Sequence, residues 1–135
     1  MAYQITEIEG IGKKYGDKLA AAGITNTDHL LAECGSKKGR KATADKTGFS
    51  ESQLLKWANM ADLMRVRGVG EEYSELLEAA GVDTVKELRN RKAENLAAKM
   101  AEVNEKKKLV RQTPAASQVE KWVAHAKELK PAITH

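Results

Sequence analysis

The sequence has only one cysteine and no long hydrophobic run, and each of these shortages excludes a class of protein. A lone Cys34 cannot form an internal disulfide or a multi-cysteine zinc site, and it is typical of a reducing compartment. No apolar stretch reaches the roughly 18 residues of a membrane span. Residues 1–7 lack the basic and apolar regions of a secretory signal. We therefore expect a cytoplasmic protein with no membrane partner.

Aromatic residues are also scarce, at 4% of the chain, whereas 31% of residues are charged and 41% are hydrophobic. This balance is typical of a globular protein, and 135 residues suffice for one compact domain. The net charge of +4 permits a nucleic-acid partner without requiring one. Basic residues gather within 37–41 and 106–111, where a solvated surface is the simpler explanation.

The chain contains an internal repeat. A shift of 58 positions places residues 10–12 on 68–70, and a shift of 65 positions places Trp57 on Trp122. We expect both tryptophans, and the paired tyrosines Tyr15 and Tyr73, to anchor the core rather than to stack on bases. The repeat predicts a single domain over 1–135 that is built from copies at about 1–60 and 61–135.

Apolar residues recur at helical spacing, and no stretch alternates as a strand would. Glycines and polar caps delimit the predicted helices, which run over 13–22, 28–33, 38–47, 51–67, 71–80, 85–91, 94–111 (with a break near Asn104) and 117–130. A Gly-X-Gly turn precedes the first and the fifth helix. The sequence therefore predicts an all-α protein of two tandem helix-hairpin-helix units packed into one compact domain.

Each Gly-X-Gly turn has the composition of a phosphate site. Glycine lets a ligand approach the backbone closely, and the first N–H groups of the next helix have no acceptor within that helix. A phosphate oxygen can accept from these groups, with help from the helix dipole. An isolated Gly-X-Gly is more often a structural turn, so the functional prediction depends on the repetition.

The two turns differ in charge, because lysines follow the first and glutamates follow the second. Glu71 and Glu72 would repel phosphate, so we predict a mainly structural role for the second turn, Gly68, Val69 and Gly70. Ile11 and Val69 should pack inward. We predict nucleic-acid binding at the first turn and the basic residues near it: Gly10, Ile11, Gly12, Lys13, Lys14, Lys18, Lys37, Lys38, Arg40 and Lys41.

Residues 5–12, 61–70 and 76–85 resemble the bacterial domain-of-unknown-function family DUF4332, and the resemblance spans nearly the whole chain. It implies a tandem helix-hairpin-helix domain with no established activity. More distantly, such units are similar to the non-specific DNA-binding modules of repair and recombination proteins, whose hairpin glycines bind phosphate through amide N–H groups. Four glycines match that motif, and the Glu71-Glu72 pair departs from it: Gly10, Gly12, Gly68 and Gly70.

An enzyme is the least supported function. The histidines His29, His125 and His135 are not paired between the copies, and no HExxH motif, P-loop or nucleophile elbow is present. We expect no catalytic residue, metal or cofactor. Two functions stay open: a module that binds the DNA or RNA backbone without sequence preference, and a protein-interaction or scaffold module that keeps the fold without binding nucleic acid.

Overall fold

The computed structural model describes residues 2–134, so Met1 and His135, at the ends of the predicted domain, lie outside the described residues. The predicted all-α class is confirmed, since this range contains helices and no strand. A short 3-10 helix, Ile5–Glu7, comes first. The α-helices are α1 (Lys13–Ala21), α2 (Thr27–Cys34), α3 (Lys37–Thr47), α4 (Glu51–Leu63), α5 (Glu71–Ala79), α6 (Val85–Leu88), α7 (Ala93–Lys107) and α8 (Ala116–Glu128).

Several helices end earlier than the sequence predicts, and the difference is largest, about four residues, at α4 and α7; α6 ends at Leu88 instead of residue 91. Helix α4 ends at Leu63 instead of near residue 67. The chain then forms tight turns, in which, for example, the Val66 N–H donates a hydrogen bond to the Leu63 carbonyl. Helix α7 ends at Lys107 instead of near residue 111. There the Asn104 side chain binds both the N–H and the carbonyl of Val110 and turns the chain back.

Buried side chains form two hydrophobic clusters, one in each half of the chain. The first lies among α1 to α4 and takes in Ile133 from the C-terminal segment, and the second extends from Leu63 through α8. Trp57 belongs to the first cluster and Trp122 to the second, with 3% and 2% of their surfaces exposed. The expectation that both tryptophans lie in the core is confirmed.

Tyr15 occupies the edge of the first cluster. Its ring lies 5.2 Å from that of Phe49 and 6.0 Å from that of Trp57, measured between centroids. However, 38% of the residue is exposed. Tyr15 therefore packs on the core as expected but is not enclosed by it, whereas Tyr73 is half-buried and its hydroxyl donates to the Gln112 carbonyl.

The buried carboxylate of Asp62 joins the end of α4 to the start of α6. Its Oδ2 accepts a hydrogen bond from the Val85 N–H at 2.8 Å, and its Oδ1 accepts one from the Arg65 Nε at 2.9 Å. Arg65 also donates to the Lys130 carbonyl at 2.7 Å. A single acidic side chain thus ties α4, α6 and the segment after α8 together.

Candidate nucleic-acid interface

The first Gly-X-Gly turn is a tight bend that delivers the chain into α1. Gly10 adopts φ +91°, a conformation that side-chain-bearing residues rarely take, and the Ile11 N–H donates to the Ile8 carbonyl at 3.0 Å. Ile11 is 2% exposed, so the expectation that it packs inward is confirmed. The bend leaves Gly12 at the N-cap of α1.

Gly12 is a glycine that neither backbone conformation nor packing requires. Its φ of −84° and ψ of −172° are extended values open to any residue, and a Cβ built there would meet nothing within 4 Å. No side chain caps α1. The amide N–H groups at the start of α1 are therefore accessible to a ligand, and the absent side chain keeps the approach clear.

Lysines surround this helix end. Lys13 and Lys14 are exposed in the first residues of α1. Lys18 lies one helical turn further on, and its ammonium is 5.6 Å from the centroid of the Phe49 ring. This cation–π contact holds Lys18 against the aromatic cluster, while Lys13 and Lys14 carry positive charge at the open N–H groups.

The basic cluster of α3 divides into an exposed and a buried part. Lys37, Lys38 and Lys41 are exposed, whereas Arg40 is only 3% exposed. The Arg40 guanidinium donates to the Cys34 carbonyl at 3.1 Å, the Gly35 carbonyl at 3.0 Å and also to Thr134. The prediction that Arg40 contacts nucleic acid is wrong, because it is used inside the fold.

The exposed lysines of α3 make no direct bonded contact with the first Gly-X-Gly turn among the described residues. Among residues 2–134, no hydrogen bond, ion pair or ring contact joins them to residues 8–18. Lys37 lines a small cavity with Glu51 and Ser52 at the start of α4 instead.

The second Gly-X-Gly turn repeats the backbone geometry of the first. Gly68 adopts φ +89°, and the Val69 N–H donates to the Val66 carbonyl at 3.0 Å. Val69 is fully buried, as expected. Gly70 takes extended values of −96° and −164° at the uncapped start of α5, and a Cβ there would also meet nothing within 4 Å.

Both turns lie within the span of a known family. The family model of a domain of unknown function, DUF4332, matches residues 9–129. The chain belongs to this family. The matched span of this DUF4332 protein includes both Gly-X-Gly turns and both tryptophans. No solved structure matched the chain.

The two turns of this DUF4332 protein differ in the electrostatics of the helix that follows. Burial and the nearby Glu9 raise the pKa of Glu71, and the same two causes raise the pKa of Glu75. A carboxyl with a raised pKa lies where negative charge is disfavoured. The start of α5 is consequently a poor place for phosphate, which agrees with the structural role predicted for the second turn.

Glu75→Gln should stabilise the protein at neutral pH. The pKa of Glu75 is raised above its ordinary value of 4.5 in the folded protein. Its contribution to stability is therefore complete below pH 4.5 and is lost as the pH rises through the raised pKa, where the folded protein must hold a charged carboxylate. We expect a gain of roughly a few tenths of a kcal/mol at pH 7 and none at pH 4, because solvent screens this partly exposed group. Urea unfolding at both pH values measures it, and an equal gain at both would contradict the explanation.

Sequence reasoning missed a groove of about 690 Å³ beside the second turn. Arg67 and Gly68 form one wall, and α8 supplies the other through Lys121 and His125. The His125 Nδ1 accepts a hydrogen bond from the Arg67 N–H at 3.0 Å. The spacing of Lys121 and His125, four residues apart on one helix face, was the signal available in the sequence.

Metal-ligating side chains do not cluster in the described part of this DUF4332 protein. Within residues 2–134, no group of three or more His, Cys, Asp or Glu side chains is arranged to hold a metal ion. None of the described helices is long and apolar enough to cross a membrane.

Proposed function

We propose that this protein is a non-enzymatic, cytoplasmic, tandem helix-hairpin-helix module that binds the nucleic-acid backbone without sequence preference. The binding site is the first hairpin, residues 8–12, with the start of α1. The observation that carries this proposal is Gly12, a glycine that the fold does not require at an uncapped helix N-terminus. Lys13 and Lys14 supply the matching charge.

The paired geometry supports the helix-hairpin-helix description. Gly10 and Gly68 share a positive φ near 90°, and each hairpin is closed by the same N–H to carbonyl bond. The indole nitrogen of Trp57 lies 3.6 Å from a Cβ built at Gly10, and that of Trp122 lies 3.1 Å from one built at Gly68. These correspondences support copies at about 1–60 and 61–135.

The mechanism of binding is hydrogen bonding and charge attraction. A phosphate oxygen accepts from the amide N–H groups at the start of α1, where the helix dipole favours an anion. Lys13 and Lys14 release counterions when they approach neighbouring phosphates, which makes the affinity fall with salt. Since every nucleotide presents the same phosphate, neither base identity nor the choice of DNA or RNA enters this contact.

Gly12→Ser tests this mechanism, because it should weaken binding without weakening the fold. A serine at an N-cap accepts a hydrogen bond from an N–H group of the first helical turn and is slightly better than glycine for stability. The same N–H groups are then lost to phosphate. We expect about tenfold weaker binding to a duplex DNA, measured by fluorescence anisotropy, and an unchanged or higher melting temperature.

Gly70→Ser is the matched control, since Gly70 has the same extended backbone and the same open space as Gly12. It should leave DNA affinity unchanged while affecting stability as Gly12→Ser does. Equal losses of affinity in the two variants would assign binding to both hairpins. Unchanged affinity in Gly12→Ser would remove the first hairpin from the interface.

A further inference from the structure

The groove beside the second hairpin, called the second groove below, corresponds position by position to a groove in the first half of the chain, called the first groove. The shifts of 58 and 65 residues relate their shared positions. The first groove is lined by Glu9, Gly10, Lys56 and Met60, and the second groove is lined at the equivalent positions by Arg67, Gly68, Lys121 and His125. Both are formed by the entry to a hairpin and one face of a long helix.

The first groove is covered by a helix from the other half. Helix α5 packs against α4, and a cavity of about 410 Å³ remains between them. Its opposite wall is formed by Glu75, Glu78 and Ala79 of α5, with Lys107 and Leu109 from the end of α7 and the residues after it. Among the described residues, only the hairpin entry and α8 line the second groove, whose volume is about 690 Å³. The molecule therefore presents the same helix-binding surface twice and covers it once.

The hairpin entry of the second groove has the opposite charge to that of the first, and it suits an acidic occupant. In the first groove, burial and the nearby Glu9 raise the pKa values of Glu71 and Glu75, while Lys56 acts on Glu75 in the opposite direction. In the second groove, Arg67 replaces that glutamate. Lys121 is exposed beside it, at the position equivalent to Lys56.

His125 adds a directed donor to this surface. Because its Nδ1 accepts from the Arg67 N–H, the proton of the neutral ring is on Nε2, the nitrogen on the far side of the ring. The equivalent residue in the first half, Met60, has no such donor. Arg67, Lys121 and His125 thus place two cations and an imidazole around one open helix face.

We propose that the second groove docks an acidic amphipathic helix of a partner protein, packed against α8 as α5 packs against α4. The partner helix carries carboxylates three or four residues apart beside small apolar residues, as Glu75, Glu78 and Ala79 do. A protein is favoured over nucleic acid because the apolar Ala124 and the acidic Glu128 also line the groove, and the Glu128 carboxylate repels phosphate. This docking is independent of DNA binding at the first hairpin.

A peptide with the sequence of α5 tests this docking. The probe is a helical peptide that embeds residues 71–79 between alanine-rich turns, since nine residues alone form a marginal helix. Binding is followed by the indole N–H resonance of Trp122, whose ring lines the groove. A spectrum of Trp57→Phe assigns the two indole signals. We expect the Trp122 signal to shift with the peptide and the Trp57 signal to stay in place.

Charge variants locate the contact. Arg67→Glu and Lys121→Glu should each lower the affinity for the peptide about tenfold. Lys127 is an exposed lysine of α8 outside the groove, so Lys127→Glu should change this affinity little. A peptide with glutamine in place of its glutamates should bind less tightly. If the peptide leaves the Trp122 indole resonance in place, the proposal is overturned. If a duplex DNA shifts that resonance and the peptide does not, the groove binds nucleic acid instead.

Discussion

Asp62→Ala is expected to lower the free energy of unfolding by about 3–5 kcal/mol, a large effect for a single replacement. The carboxylate is 1% exposed and serves two donors, the Val85 N–H and the Arg65 guanidinium. Alanine leaves the buried N–H without an acceptor and the arginine without its partner. Urea unfolding followed by tryptophan fluorescence measures the loss, since each half contains one tryptophan.

Glu87→Ala is the matched control for this replacement. Glu87 also pairs with an arginine, Arg91, four residues further along the chain at 3.0 Å, but both side chains are more than a third exposed, at 44% and 35%. An exposed pair contributes about 0–1 kcal/mol. If Asp62→Ala and Glu87→Ala cost the same, the buried joint between α4 and α6 does not hold the halves together.

The double replacement Lys13→Glu with Lys14→Glu should reduce affinity for duplex DNA about hundredfold at low salt. Both lysines are exposed at the uncapped start of α1, so reversing their charge places two negative charges at the proposed phosphate site. The slope of log affinity against log salt should also fall by about 2, one for each lost phosphate contact. Fluorescence anisotropy across a salt series measures both quantities.

Lys127→Glu with Lys130→Glu makes the same change in net charge in the other half of the chain. Both residues are exposed, and neither is near the first hairpin in sequence. The control should retain most of the affinity. If both double variants weaken binding alike, the protein responds to net charge and the first hairpin has no special role.

Local sequence patterns were sufficient to predict much of the fold. The glycines that need a positive φ, Gly10 and Gly68, and the apolar residue after each of them lie where the sequence suggests. Helix spacing and glycine conformation are determined by neighbouring residues, so a single sequence expresses them directly. The burial of Trp57 and Trp122 followed from their matching positions in the two halves.

The misplaced ends of α4 and α7 have local causes, whereas the error at the candidate site arose where distant parts of the chain meet. Arg40 lies beside Lys37, Lys38 and Lys41 in the sequence, but one of its acceptors is Thr134, which is 94 residues away. A cation after the end of α2 can bind the last carbonyls of that helix, and this signal was available. The joint at Asp62 and the open groove beside α8 depend on how the halves pack, which local spacing does not express.

The central claim is that this protein binds the nucleic-acid backbone without sequence preference. The most direct test is the anisotropy of two labelled duplexes of unrelated sequence, titrated with the unaltered protein from about 20 to 200 mM salt. We predict equal affinities for the two duplexes and a linear fall of log affinity with log salt. A flat anisotropy at the lowest salt, or tight binding to one duplex alone, would contradict the claim.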